Sequence, residues 1–203
     1  RVWERLLPED QYRHPDVGVG EGTLEGETNS VFNHRIAVST NGVVHFTATP
    51  FGDEFLTEFA LEAIDAEELG RQGRTDMLCL SFSSLDGCGH TFGPYSQEVE
   101  DHVLRLDRQL ARIFRHLDRR IGLRNVVIVL TADHGVAPVP SYAKAMGLDG
   151  STEGGSFMTD LMSHLDRQFG SGKYFLTAGL YYGNIYLNHD TLREKRLSVA
   201  EVS

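Results

Sequence analysis

Two acid–histidine pairs are the residues whose types and spacing best suit chemistry. Asp86 precedes His90 by four positions, and Asp133 and His134 are adjacent. Carboxylate oxygens and imidazole nitrogens are good ligands for zinc and for related divalent ions. A bound divalent ion lowers the pKa of a water or hydroxyl and neutralises charge that develops on a reacting group. The residue types therefore predict metal-assisted chemistry if the fold brings both pairs together.

Each pair by itself is weak evidence for a metal site. An isolated Asp-His at the end of a strand is more often a turn with a surface histidine. An aspartate and a histidine four positions apart are weaker evidence still. The two readings, a metal site and ordinary surface residues, stay open until the elements that position the pairs are considered.

Two short apolar runs precede the pairs and are predicted to be buried strands. They occupy residues 76–83 and 125–131, and each is followed directly by one pair, the first of them in a loop over residues 84–95. A long helix between Ser96 and Gly122 connects them, which makes a strand–helix–strand unit with parallel strands. Since ligands bind beyond the carboxyl ends of such strands, both pairs are expected at one edge of the sheet.

The remaining elements complete a predicted α/β fold with a mostly parallel sheet flanked by helices. Residues 1–48 are predicted to be irregular, with a hairpin that turns at Asn41-Gly42 between residues 34–38 and 43–46. Asp53 is predicted to be the N-cap of a helix that ends near Leu69. Further predictions are a helix over 157–169, strands over 174–177 and 184–187, and the start of a helix at 198–203.

The long helix carries an apolar stripe that is expected to face the core. Its members recur at intervals of three and four: Val99, Val103, Leu106, Leu110, Ile113 and Leu117. Sequence context places seven histidines at the surface: His14, His34, His45, His102, His116, His164 and His189.

Composition and charge narrow the class of protein. The chain has 203 residues, of which 40% are hydrophobic and 24% charged, enough for a domain with a real core. No apolar run approaches the roughly 20 residues of a membrane span. A net charge of -10 without a Lys/Arg cluster argues against a nucleic-acid partner. Cys79 and Cys88 are predicted to be small, partly buried thiols rather than a disulfide framework.

Longer stretches around both pairs resemble one family. Thr-Ala-Asp-His-Gly at 131–135 resembles a signature of the alkaline phosphatase superfamily, in its type I phosphodiesterase and nucleotide pyrophosphatase branch. Residues 81–90, the Phe-Gly-Pro at 92–94 and residues 98–107 are similar to the PafA-type phosphate-irrepressible alkaline phosphatases. The resemblance is strongest over residues 45–145 and implies an alkaline phosphatase-like fold.

The resemblance also implies roles for the four residues. Asp86 and His90 would bind one zinc ion, and Asp133 and His134 would bind a second. The Thr or Ser nucleophile of the family, which forms a phospho-enzyme, lies well upstream, so no catalytic nucleophile is expected in this chain. The upstream Lys and Arg, a further upstream Asp and a downstream His ligand have no counterpart here either. We therefore expect the chain to be the middle-to-C-terminal part of one catalytic domain, with weak metal binding and little turnover of its own.

Three functions remain open at this point. A phosphomonoesterase acting on a small-molecule phosphate ester is favoured by the PafA-type stretches. A phosphodiesterase or nucleotide pyrophosphatase would use the same four ligands, so the present residues do not separate the two. A non-catalytic domain that keeps the fold and serves in binding or assembly is the third. The resemblance further implies a periplasmic or secreted location.

Overall fold

Asp86 and His90 lie on a helix, whereas Asp133 and His134 lie in an exposed segment that is neither helix nor strand. The chain divides into two compact units, residues 1–150 and residues 151–203. The computed structural model describes residues 1–36, 46–150, 156–177 and 183–202.

Three helices of the first unit pack against one another: α1 (Pro50–Ala66), α2 (Ser84–Phe92) and α3 (Gln97–Arg120). The start predicted for α1 is wrong, because Thr49 rather than Asp53 occupies the N-cap position. Pro50 follows at the first helical position, where a proline loses no hydrogen bond and its fixed φ already suits a helix. Asp53 is consequently one turn inside α1, and only 2% of it is exposed.

Helix α2 replaces the loop predicted after the first apolar run. Its nine residues include Gly87 and Gly89, which disfavour a helix in isolation. Tertiary contact explains the outcome, because a Cβ at Gly87 would collide with the backbone oxygen of Thr47. The backbone of α2 thus approaches the segment before α1 more closely than any other residue type allows. As a result, Asp86 and His90 lie on one helix at positions i and i+4.

The prediction of the long helix is confirmed. Ser96 is the N-cap of α3 and accepts a hydrogen bond from Val99 N at 3.2 Å, and Gly122 follows the helix with φ 82°. The predicted apolar stripe is only partly buried, since Val103 is 48% exposed. The buried face of α3 is mainly polar instead, and its residues are Gln97, Glu98, Asp101, His102, Gln109 and Ile113.

The predicted mostly parallel sheet is not formed by the described residues. Their only sheet is antiparallel and joins β1 (Val2–Trp3) to β2 (His34–Arg35), with Trp3 opposite His34. Of the hairpin predicted between residues 34–38 and 43–46, residues 37–45 with the turn at Asn41-Gly42 lie outside the described residues, and His34–Arg35 pair with β1.

The two apolar runs that were predicted to be strands belong to no β-ladder. Val126 has extended backbone angles, but residues 126–131 have no neighbouring strand. Their apolar side chains are open, with Val127 91% exposed, and Met77 in the first run is exposed as well. An extended segment becomes a strand only when a neighbour pairs with its N–H and C=O groups, and the described residues offer none.

Trp3 is at the centre of the core of the first unit. Its indole Nε1 donates to Asp101 Oδ2 at 2.6 Å, and its ring meets Phe32 and Phe92 edge to face. The buried members of this core are Trp3, Leu24, Phe32, Ala48, Phe51, Cys88 and Phe92. Aromatic contacts of this kind contribute beyond the area that they bury, by about 0.5–1.5 kcal/mol per pair.

The two cysteines differ from their predicted partial burial in opposite directions. Cys79 is exposed and Cys88 is fully buried in the core, where burial raises the pKa of its thiol well above the usual value. Because only a thiolate attacks disulfide reagents, we expect one thiol of the native chain to react with an aromatic disulfide at pH 8. Cys88 is expected to react only after unfolding. Native Cys79→Ser protein should show almost no fast reaction, and a fast phase in that variant would contradict the burial of Cys88.

The first unit also contains shorter elements. Two 3-10 turns occupy Glu9–Gln11 and Leu123–Asn125, and helix α4 (Pro140–Ala145) follows the Asp133-His134 pair. No helix in the described part of the chain is both long and apolar enough to cross a bilayer.

The second unit contains helices α5 (Phe157–Phe169), α6 (His189–Lys195) and α7 (Val199–Val202). The helix predictions for 157–169 and for the end of the chain are confirmed. Where the two strands were predicted, the described residues include an antiparallel bridge between Phe175 and Leu187. The buried core of this unit consists of Met158, Leu165, Tyr174, Phe175 and Leu192.

Candidate metal centre

The four residues predicted to be metal ligands lie close together. Asp86 Oδ1 is 3.5 Å from His90 Nε2 and 3.9 Å from His134 Nε2. His134 Nε2 is in turn 3.6 Å from Asp133 Oδ2. Helix α2 supplies the first pair, and the segment that follows the second apolar run supplies the other. His134 therefore connects two pairs that are far apart in sequence.

The separations among these atoms suit ligands of a cation better than hydrogen-bonding partners. Ordinary hydrogen bonds to nitrogen are about 2.7–3.2 Å long, shorter than all three separations. Two ligands of one tetrahedral zinc ion, with bonds of about 2.0–2.1 Å, lie about 3.4 Å apart. The 3.5 Å and 3.6 Å separations are thus compatible with each Asp–His pair binding one ion.

A backbone carbonyl lies beside one ring nitrogen of His134, which leaves the other nitrogen as the one that could bind a metal. Its Nδ1 lies 3.0 Å from the carbonyl oxygen of Gly135, which can only accept, so Nδ1 carries the proton. In the neutral ring, Nε2 then presents a lone pair toward Asp86 and Asp133. Histidines that bind metals commonly donate their other ring N–H to a backbone carbonyl in this way.

The site is open and incomplete within the described residues. The four side chains are between 52% and 87% exposed. Across residues 1–36, 46–150, 156–177 and 183–202, no group of three or more His, Cys, Asp or Glu side chains has the arrangement of a metal site. The donor types and their pairwise spacing fit a divalent cation, whereas a full coordination sphere needs further donors.

Two residues that sequence analysis did not assign to the site, Asp53 and His102, lie buried beside α2. His102 Nε2 is 2.9 Å from Asp53 Oδ2, and Ser84 N, at the start of α2, donates to Asp53 Oδ1 at 3.3 Å. The surface position predicted for His102 is wrong, because none of it is exposed. The sequence indicates the burial of His102 only weakly, through a polar face of the helix on which Glu98, Asp101 and His102 recur at spacings of three and four.

Asp101 joins the N-terminal segment to α3. Besides the Trp3 indole, it accepts hydrogen bonds from Leu6 N, the Tyr12 hydroxyl and Arg105 Nε. Burial, reinforced by the hydrogen bond to Asp101, raises the pKa of Tyr12 to about 12. A buried carboxylate with this many donors fixes the position of the first turns of α3.

His34 is also buried, which corrects its predicted surface position. Its Nδ1 is 2.7 Å from Glu27 Oε2 and its Nε2 is 3.1 Å from Glu98 Oε1. Burial alone lowers the pKa of His34, but the hydrogen bonds with Glu98 and Glu27 outweigh burial and raise it above 6.5. The imidazolium form therefore links two carboxylates across the core.

A raised pKa of His34 makes stability depend on pH. Its contribution is fully present below about 6.5, the value in an unfolded chain, and is lost as pH rises through the folded-state pKa. We expect the free energy of unfolding to fall more steeply above pH 6.5 in the unmodified chain than in His34→Gln. Urea unfolding between pH 5.5 and 9 measures this difference. The exposed His164→Gln serves as the control, and equal pH dependence in all three would exclude the effect.

A family model described as type I phosphodiesterase / nucleotide pyrophosphatase matches residues 10–202. The chain belongs to this family. The resemblance inferred from the motifs at 81–90 and 131–135 is thereby confirmed.

Relatives of this phosphodiesterase-family chain include named alkaline phosphatases. It is 35% identical to alkaline phosphatase PhoV of Synechococcus elongatus and 31% identical to alkaline phosphatase PafA of Elizabethkingia meningoseptica, in each case over 98% of the chain. It spans 36% and 37% of the length of these two proteins.

The crystal structure of wild-type alkaline phosphatase PafA superposes on the chain with a TM-score of 0.87. The identity is 31%, and the match covers 98% of this chain and 38% of that one. The predicted alkaline phosphatase-like fold is supported by this likeness, while the parallel sheet is not confirmed.

Proposed function

We propose that the protein hydrolyses phosphate esters of small molecules with two divalent ions, most simply zinc, and that Asp86, His90, Asp133 and His134 help to hold them. The observation that carries the proposal is the approach of His134 Nε2 to both Asp86 and Asp133. Membership of the type I phosphodiesterase / nucleotide pyrophosphatase family supports the reaction class. Because the chain spans little more than a third of its named relatives, the activity is proposed for the whole protein.

The residues of this chain contribute binding and orientation rather than the attacking group. Asp86 and Asp133 supply negative charge at a surface where a cation would otherwise be exposed to water. His134, with Nδ1 committed to Gly135, keeps its Nε2 lone pair directed at the same point. Divalent ions held there would activate a hydroxyl or water and neutralise the phosphoryl oxygens. The nucleophile, an upstream Thr or Ser by resemblance, is not among the residues that we assign here.

Hydrolysis of phosphomonoesters is the preferred form of the proposal. The relatives that cover nearly the whole chain include PhoV and PafA, both named alkaline phosphatases. Diester or nucleotide pyrophosphate hydrolysis is the second candidate, and the description of the matching family favours it. A periplasmic or secreted location, which the resemblance implies, belongs to the same proposal and is testable by cell fractionation.

The proposal includes a parallel sheet in the whole protein. Exposed apolar side chains such as Met77, Val127 and Val129 line two segments without a β-ladder. Apolar surface of this extent is unfavourable in water and is the usual mark of a surface that another part of a protein covers. We propose that strands from outside the described residues pair with residues 76–83 and 126–131 and so complete the sheet.

Hydrolysis assays on the whole protein test the function. Aryl phosphate monoesters and diesters are offered with native metal, after complete chelation and after zinc is restored. We expect faster turnover of the monoester, loss on chelation and recovery with zinc. Preference for the diester would support the second candidate. Absence of any turnover, or turnover that survives complete metal removal, would contradict the proposal, and the former would favour a non-catalytic binding role.

A further inference from the structure

The N-terminus of α2 is capped from a different helix. The first N–H groups of a helix have no acceptor within it, and a preceding side chain normally supplies one. Ser83, at the N-cap position of α2, accepts no such hydrogen bond. Instead, Ser84 N donates to Asp53 Oδ1 of α1. The carboxylate also lies where the positive end of the α2 dipole favours a negative charge.

His102 fixes the carboxylate that caps α2. The His102–Asp53 contact is 2.9 Å, and both side chains are at most 3% exposed, so water does not compete for it. Close packing adds a second restraint, since a Cβ at Gly52 would collide with Ser84 Oγ and lie 2.9 Å from the Phe46 oxygen. The start of α2 is thus held between α1 and α3 by one carboxylate and one tight contact.

We propose that Asp53 and His102 are positioning residues for the metal centre, an inference that rests on the proposed function. Ser84 is two residues before Asp86, so the anchor acts on the first turn of α2, where Asp86 lies. Loss of the anchor lets this turn shift and takes Asp86 Oδ1 away from His134 Nε2. Neither positioning residue is among the four proposed ligands. Groups that hydrogen-bond a metal ligand directly typically contribute about 10–100-fold to metal affinity, and we expect an effect of this order from an anchor two residues from Asp86.

The same two helices contain a matched control. Asp65, in the last turn of α1, pairs with His116 of α3 at 2.9 Å, and Arg120 joins the pair. It is likewise an Asp–His pair between α1 and α3, at the opposite end of their contact, although its side chains are 13% and 28% exposed. A change at Asp65 therefore measures what losing an Asp–His pair between α1 and α3 does to the fold, without touching the start of α2.

The test compares zinc affinity among Asp53→Ala, Asp53→Asn and Asp65→Ala, measured by competition with a metal-binding dye. Circular dichroism and the unfolding midpoint monitor the fold. We expect Asp53→Ala to lower zinc affinity about 10–100-fold. Asp53→Asn should recover most of it, because the amide oxygen still accepts from Ser84 N. Asp65→Ala should bind zinc like the unmodified protein even where its midpoint drops.

Each outcome decides the inference. Equal losses of affinity in Asp53→Ala and Asp65→Ala would reduce Asp53 to a stabilising role and overturn it. Unchanged affinity in Asp53→Ala would overturn it while the proposed metal site stands. Failure of the unmodified protein to bind zinc would overturn both this inference and the proposed metal site. If Asp53→Ala does not fold, His102→Leu is expected to weaken zinc binding and His102→Gln, which still donates to Asp53, to restore it; equal affinity in the two would overturn the inference.

Discussion

Asp86→Asn is expected to remove zinc binding by the proposed centre and phosphate-ester hydrolysis by the whole protein. Asp86 Oδ1 is the atom that approaches both His90 and His134, so its charge serves both pairs. The amide has nearly the same shape but no negative charge to offset the ion. Zinc affinity should therefore fall further than the roughly 10–100-fold that the loss of a supporting residue costs.

Dye competition and aryl phosphate turnover measure the two effects of Asp86→Asn on the same preparation. Asp160→Asn, an exposed aspartate of α5 in the second unit, is the control and should leave both unchanged. Retained zinc affinity in Asp86→Asn would remove this residue from the centre. Lost affinity with full activity would instead separate metal binding from hydrolysis.

Val127→Lys is expected to leave the stability of the chain nearly unchanged and to destabilise the whole protein strongly. In the chain, Val127 is 91% exposed, and a surface substitution changes the free energy of unfolding by about 0.5 kcal/mol or less. In the whole protein, a strand buried on both faces would have to bury the ammonium group without a partner. A loss of about 3–5 kcal/mol, or failure to fold, is expected there.

Denaturant unfolding of both forms measures the effect of Val127→Lys. The control is Val17→Lys, at an exposed valine of the N-terminal segment, which should be nearly neutral in both. A small effect of Val127→Lys in the whole protein would show that residues 126–131 are not an interior strand. The parallel sheet would then be wrong, although the metal centre would stand.

Local signals predicted the long helix α3 and helix α5 well, whereas α2 was predicted as a loop and α4 and α6 were not predicted. Ser96 before an amphipathic run and Gly122 after it set the limits of α3, because a cap and a stop act on their own neighbours. Strand predictions fared worse for a physical reason. An apolar run such as 126–131 indicates that burial of its side chains is favourable. It does not identify the segments that would cover them. Without a pairing partner, the same residues remain outside any ladder.

For the site as well, local sequence features predicted some residues, whereas the roles of others depend on partners that are distant in the chain. Residue types and spacing singled out Asp86, His90, Asp133 and His134, and the family resemblance implied that they are metal ligands. The structure places the four near one another. Asp53 was recognised as a capping residue but assigned to its own helix, because sequence does not show which N-terminus a buried carboxylate faces. The buried positions of His34 and His102 depend on partners that are distant in the chain, so residue patterns favoured the surface for both.

The two acid–histidine pairs of the proposed centre differ in how firmly the rest of the structure holds them. Asp86 and His90 lie on a helix braced by α1 and α3, whereas residues 131–137 are exposed and belong to no helix or ladder. Local stability depends on the number of tertiary contacts. Fewer contacts therefore oppose displacement of the segment with His134 than displacement of α2. Binding of an ion would chiefly order the segment with Asp133 and His134 against the more rigid helix α2. The entropic cost of assembling the centre from this chain therefore falls mainly on the Thr-Ala-Asp-His-Gly segment.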